Sequence, residues 1–194
     1  NEPNHAKEWG NTLDPEEYAD TFVFASAWLK TEGKGYVVLP AAMDLAAPNG
    51  TVTMEAFTYW RRAVAHRPEL FEYMDGWNSH SYPNPGFSSS PYKDTKDSLR
   101  GFQHELKFVA QYTDKQLPVY ITETGWIENR LTLPRLHAYY QYAQKNIWSD
   151  ERVVAVTPFL LRGAPGPFAG FTFLDQSGNR TRQFDAYRRI VEGK

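Results

Sequence analysis

Two glutamates carry the chemistry open to this sequence. Glu2 lies in Asn1-Glu2-Pro3-Asn4, and Glu123 follows the apolar run Pro118-Val119-Tyr120-Ile121-Thr122, which reads as a strand. Two carboxyls facing each other across a cleft are the apparatus of glycosidic bond cleavage. One, kept protonated by burial and by its charged neighbour, donates to the leaving oxygen; the other, ionised, attacks the anomeric carbon. His80 and Tyr82 close a further strand candidate at residues 73–82, from which the tyrosine hydroxyl is expected to orient Glu123 and hold its pKa low. Asn1 offers its amide to a sugar hydroxyl. Trp9, Trp77 and Trp126, with Phe87, Tyr92, Phe168, Phe171 and Phe173, follow strand ends and offer flat apolar faces to pyranose rings.

The surrounding elements keep a regular beat. Strand ends fall near residues 2, 40, 80, 123 and 160, with Tyr36-Val37-Val38-Leu39 and Arg152-Val153-Val154-Ala155-Val156-Thr157 as the other clear apolar runs. Helical patterns fill the intervals. Asp14-Pro15-Glu16-Glu17 starts one that runs to about Gly33, Thr53 is placed to cap a second, and others follow Ser98 and Pro134. A last one carries Phe184, Tyr187, Ile190 and Val191. A steady strand-helix alternation implies a parallel sheet with right-handed crossovers. No glycine-rich loop of the open dinucleotide-binding kind is present, so a closed (β/α)8 barrel is the better reading. Eight units of about 40 residues need about 320 in that fold. The 194 residues are therefore read as an α/β partial TIM barrel, running from the end of strand 4 to the last helix. Loops after the strands, such as the Pro-, Ser- and Asn-rich stretch from Tyr82 to Asp97, form the functional face of a barrel.

Three segments together carry a family resemblance. Asn1-Glu2-Pro3-Asn4 resembles the Asn-Glu-Pro signature at the end of strand 4 in clan A glycoside hydrolases. Ile121-Thr122-Glu123-Thr124-Gly125-Trp126 is similar to that clan's strand-7 nucleophile motif, and Trp77-Asn78-Ser79-His80-Ser81-Tyr82 to its strand-6 ending. The flavour is cellulase-like, near families 5 and 39, and it covers the whole chain. The resemblance implies a retaining hydrolase with Glu2 as acid/base and Glu123 as nucleophile, their carboxyls about 5–5.5 Å apart. It implies an oligosaccharide or polysaccharide substrate, and secretion or another extracytoplasmic location. Residues 1–194 then form the C-terminal part of one catalytic barrel whose first half is absent, a segment expected to be poorly stable and inactive alone because its sheet edges are unpaired. The clan's strand-8 tryptophan is missing from Pro158-Phe159-Leu160-Leu161-Arg162, leaving Phe159, Phe171 or Trp126 as its replacement.

Composition narrows the alternatives. With 21 Lys+Arg against 23 Asp+Glu and no basic stripe, nucleic acid is not the expected partner. The absence of cysteine excludes disulfides, thiolate zinc sites and a cysteine nucleophile. No apolar stretch approaches the roughly 18 residues needed to span a bilayer. Neither cofactor nor metal is expected: Pro3 makes Glu2 and His5 a poor chelating pair with His80. The reading from a different class is a carbohydrate-binding barrel without turnover, since fold does not fix function.

Overall fold

The computed structural model describes residues 1–163 and 165–193. Helix α1 (Pro15–Thr31) begins as its sequence dictates, with Pro15 in the first turn and Asp14 Oδ1 accepting the Glu17 N–H at 2.9 Å. Helix α2 (Ala56–His66) is capped by Glu55 rather than by Thr53; the Glu55 carboxylate accepts the Thr58 N–H at 2.8 Å. Thr53 is occupied elsewhere, its hydroxyl donating to the Pro48 carbonyl and its backbone pairing with His5. Helices α3 (Gly101–Val109), α4 (Leu136–Asn146) and α5 (Arg182–Val191) complete the set. None of the described helices is long and apolar enough to cross a membrane.

Strands β1 (Trp77–His80), β2 (Val119–Thr124) and β3 (Val153–Pro158) form one parallel sheet in that order, each joined to the next through a helix. The segment expected as a strand at 36–39 joins no ladder. Side chains intercept its backbone groups: the Asp75 carboxylate accepts the Val38 N–H at 2.7 Å, and Asn78 Nδ2 donates to the Pro40 carbonyl at 3.1 Å. Only farther along, at Asp44, does this segment make a parallel bridge to His80. At the other edge β3 is unpaired and Val154 is 59% exposed, so the sheet is an open arc, the architecture of a partial TIM barrel.

The core lies between the sheet and the helices. Trp77, Val119 and Ile121 reach it from the strands and meet Tyr59, Trp60, Phe102 and Tyr140 from the helices, all of them buried. Gly76 lets β1 start there: a Cβ at this position would stand 2.8 Å from the Pro118 carbonyl oxygen and from the Tyr120 ring. Trp77, expected on the sugar-binding face, points the other way and packs on Trp60 with ring centroids 5.2 Å apart. The pleat explains this correction, because residues 77 and 80 of one strand face opposite sides.

Candidate active site

Glu2 reaches the site on a short, tightly held segment. Residues 4–6 run antiparallel to 52–54, with Met54 N–H donating to the Asn4 carbonyl and Ala6 N–H to the Val52 carbonyl, both at 2.9 Å. Glu2 itself has φ of +32°, a conformation that costs a residue with a Cβ about 1–3 kcal/mol and persists only when its surroundings fix it. Pro3 and a bond from His5 N–H to the Glu2 carbonyl hold the turn.

Glu123 comes from the end of β2. The β1–β2 register slips between Ser79 and His80, so His80 pairs with Glu123 although Ser79 pairs with Ile121. The extra residue on β2 lets both Thr122 and Glu123 face the side of His80; Thr122 Oγ1 donates to Asn78 Oδ1 on that side at 2.6 Å. Past the strand, Gly125 takes φ of +138° and turns the chain back into the protein.

The four side chains then converge. His80 Nδ1 lies 2.8 Å from Glu2 Oε1 and 3.7 Å from Glu123 Oε2, and Tyr82 Oη donates to Glu123 Oε2 at 3.1 Å. A carboxylate oxygen of Glu2 and one of Glu123 are within 4.8 Å of each other. Burial, the largest influence, pushes the Glu123 carboxyl above its ordinary pKa; His80 pulls it back down, Glu2 raises it further, and the Tyr82 bond lowers it. The bond from Tyr82 is the one the sequence suggests, but its expected result is reversed, because desolvation outweighs one hydroxyl. Burial and the Glu123 charge raise the Tyr82 phenol well above its usual range, so it stays a donor.

A cleft of about 300 Å³ opens over this group. Asn1, Glu2, Tyr82 and Glu123 line it, and so do Phe87, Phe159, Phe168 and Phe171. Those four phenylalanines and Tyr82 form one cluster of edge-to-face rings, with centroids 5.0–6.1 Å apart. Phe87 enters it from a backbone at φ of +54° in the long loop after β1. Of the three replacements considered for a strand-8 tryptophan, Phe159 and Phe171 stand in the cleft and Trp126 does not.

The expected tryptophan platforms lie outside the cleft. Trp126 is fully buried against Tyr139 and Tyr140, with its indole N–H donating to the Ser89 carbonyl at 2.8 Å. Trp9 sits edge-on to Tyr18 and donates to Glu17 Oε2. Trp77 is in the core. Tyr92 packs on Tyr142, and Phe173 on Phe184 and Tyr187. Each packs on an aromatic ring of a helix, and Trp77 and Trp126 are fully buried there.

Lys7, Glu8, Asp44, Ala46 and Asn84 also line the cleft and were missed from the sequence. Asp44 had one usable signal, its place in the loop just beyond the strand candidate that ends at Pro40. The group Glu2, His80 and Glu123 offers three ligand atoms within 4.8 Å of one another, a set that a divalent ion would accept. His5 is not part of it; its Nε2 lies 2.9 Å from Asp44 Oδ2 instead.

No family model and no curated protein matches this chain in sequence. Solved structures do match. A family 39 β-xylosidase from Caulobacter crescentus superimposes with a TM-score of 0.66 at 18% identity, over 99% of this chain and 40% of its own. An endo-β-1,3-glucanase of family 128 (subgroup II) from Sorangium cellulosum gives 0.64 at 16%, over 96% and 66%. Xylanase 10B from Thermotoga petrophila, solved in complex with xylobiose, gives 0.54 at 16%, over 95% and 54%. The chain thus spans 40% of the length of the β-xylosidase it matches. At these identities the likeness is one of fold: the chain has the fold of part of a TIM barrel, as these glycoside hydrolases do.

Proposed function

We propose that this chain carries the catalytic pair of a retaining glycoside hydrolase acting on O-glycosidic bonds of an oligosaccharide or polysaccharide, and that residues 1–194 are the C-terminal part of its single catalytic barrel. One observation carries the reading: Glu2 and Glu123 come within 4.8 Å at one cleft and share His80. An approach this close between one oxygen of each supports retention, where the carboxyls are about 5–5.5 Å apart, over inversion, where about 6.5–9.5 Å leaves room for a water.

Glu123 in its ionised form attacks the anomeric carbon. As that bond forms, the bond from the same carbon to the glycosidic oxygen breaks, and the departing oxygen takes the proton of the Glu2 carboxyl. Glu2, now a carboxylate, removes a proton from water; the water oxygen attacks the anomeric carbon and Glu123 leaves as a carboxylate. Tyr82 steadies Glu123 while it is charged, and His80 fixes the Glu2 carboxyl. The phenylalanine cluster supplies the apolar face for a sugar ring, with Asn1 at the rim for a hydroxyl. The β-xylosidase and the endo-β-1,3-glucanase of like fold support β-linked glycans as the substrate class.

The test is made in the full-length protein against cello-, xylo- and laminari-oligosaccharides and their aryl glycosides. Glu123→Ala abolishes turnover, and azide restores part of it by standing in as the nucleophile. Undiminished hydrolysis by Glu123→Ala sinks the assignment. Saccharide binding without cleavage by the parent protein puts a non-catalytic binding barrel in its place.

A further inference from the structure

Asn4 does not reach the cleft, yet it stands at the junction of everything that aims Glu2. Its side chain is fully buried and makes three hydrogen bonds, all to backbone. Nδ2 donates to the Asp44 carbonyl at 2.9 Å and to the Met54 carbonyl at 3.0 Å, while Oδ1 accepts the Asp44 N–H at 3.1 Å. The amide therefore grips both backbone groups of Asp44, as a neighbouring strand would. Asp44 is also the residue whose backbone bridges to His80, and His80 Nδ1 lies 2.8 Å from Glu2 Oε1. The contacts close a ring: Glu2, Asn4, Asp44, His80 and back to Glu2.

We infer that Asn4 is a positioning residue for the acid/base, holding the turn at Glu2 in register with His80, an inference that rests on the retaining reading above. Glu2 sits in a left-handed conformation that relaxes if either end of its turn is released. Pro3 restricts Glu2 before it, and the hydrogen bonds of Asn4 tie that turn to the strand-end loop. No other side chain of residues 1–5 bonds the backbone at both 44 and 54. The hydrogen bonds of the Asn4 amide go to Asp44 and Met54, and none goes to Glu123, Tyr82 or the phenylalanine cluster.

The consequence is a particular kinetic signature. A proton donor matters for a poor leaving group and not for 2,4-dinitrophenolate, which departs unaided. The measurement is kcat/KM, which reports glycosylation alone, for an unactivated oligosaccharide and for the dinitrophenyl glycoside of the same sugar. It is made in the full-length protein and in its Glu2→Ala and Asn4→Ala variants. General acid catalysis contributes about 100-fold or more, so Glu2→Ala should lose at least that on the oligosaccharide and little on the dinitrophenyl glycoside. Asn4→Ala should show the same split, at about tenfold or more. The ratio of the two rates is independent of how much protein is folded, so partial misfolding does not imitate it. If Asn4→Ala yields no soluble protein, Asn4→Asp decides, since it keeps the acceptor for Asp44 N–H and removes both donors. A proportional loss on both substrates, or no loss, overturns the inference. A Glu2→Ala variant without the split overturns the acid/base reading along with it.

Discussion

Tyr82 Oη donates to Glu123 Oε2 across 3.1 Å, and this single bond works against the burial that raises the same carboxyl. Glu123 attacks only when ionised, so on the proposed mechanism activity falls as pH drops through its pKa. Tyr82→Phe removes the donor and leaves the ring in its cluster. The Glu123 pKa then rises further, and the acidic limb of the kcat/KM profile moves to higher pH by about one unit, the scale of a hydrogen bond to a charged group. The basic limb, which belongs to the acid, stays in place. A pH–rate profile of the two proteins checks this; an acidic limb that stays put or moves down contradicts it.

A second carboxyl is raised for a purely structural reason. Glu105 in α3 is fully buried behind β1, where Ser79 donates to Oε2 and Oε1 has no partner; the Trp77 indole N–H faces it without closing a bond of ordinary geometry. Burial pushes its pKa up to about 7. Folding therefore favours the protonated form, and stability is full below the unfolded-state pKa near 4.3 and declines as pH rises through about 7. The loss is on the order of 3 kcal/mol by pH 8. Glu105→Gln, neutral at every pH, should melt above the parent at pH 8 and close to it at pH 4. Thermal melts at the two values decide, and a variant that melts lower at pH 8 refutes the account.

The particular residues explain what the sequence made legible. Asp14 and Pro15 set a helix start by local chemistry alone, and the start is where they put it. The alternating beat of strand and helix gave the parallel sheet for the same reason, since the period belongs to the backbone. Glu2 and Glu123 were legible as a pair because strand ends in a barrel share one face. The tryptophans were not: whether Trp77 faces the cleft or the core depends on one step of pleat, and whether Trp126 does depends on how Gly125 turns. Segment 36–39 joins no ladder, and Asp75 and Asn78, distant in sequence, capture backbone groups at Val38 and Pro40. Asn4 was legible only as the end of the Asn1-Glu2-Pro3-Asn4 segment, because its contacts with Asp44 and Met54 join residues 40 and 50 positions away.

Phe159 and Phe171 carry the prediction about binding. Both line the cleft, with ring centroids 5.5 Å apart and nearly perpendicular. Removing one ring deletes the apolar face offered to a pyranose without touching either carboxyl. Phe159→Ala should weaken oligosaccharide binding about tenfold, equivalent to roughly 1.4 kcal/mol. Trp77→Phe, which alters a ring in the core, should leave affinity unchanged while lowering the melting temperature. Calorimetric titration of both variants with a matched oligosaccharide separates the two roles. The assignment fails if the core substitution is the one that weakens binding.

The raised pKa of Glu123 also predicts a conflict between chemistry and stability. Burial and the Glu2 charge both resist its ionisation in the folded state, so an ionised Glu123 costs the native protein more than it costs the unfolded chain. Because the folded value lies above the unfolded one, this destabilisation is absent at low pH and develops as pH rises through the raised pKa. Glu123→Gln keeps an oxygen to accept the Tyr82 bond and never ionises. It should therefore be inactive yet melt at a higher temperature than the parent at pH 8, with the advantage gone at pH 4. A substitution that merely damaged the cleft would lower the melting temperature at both pH values. Gaining stability while losing turnover is what marks a residue retained for its chemistry, so the two melts and one activity assay test the nucleophile assignment without relying on the identity of the sugar.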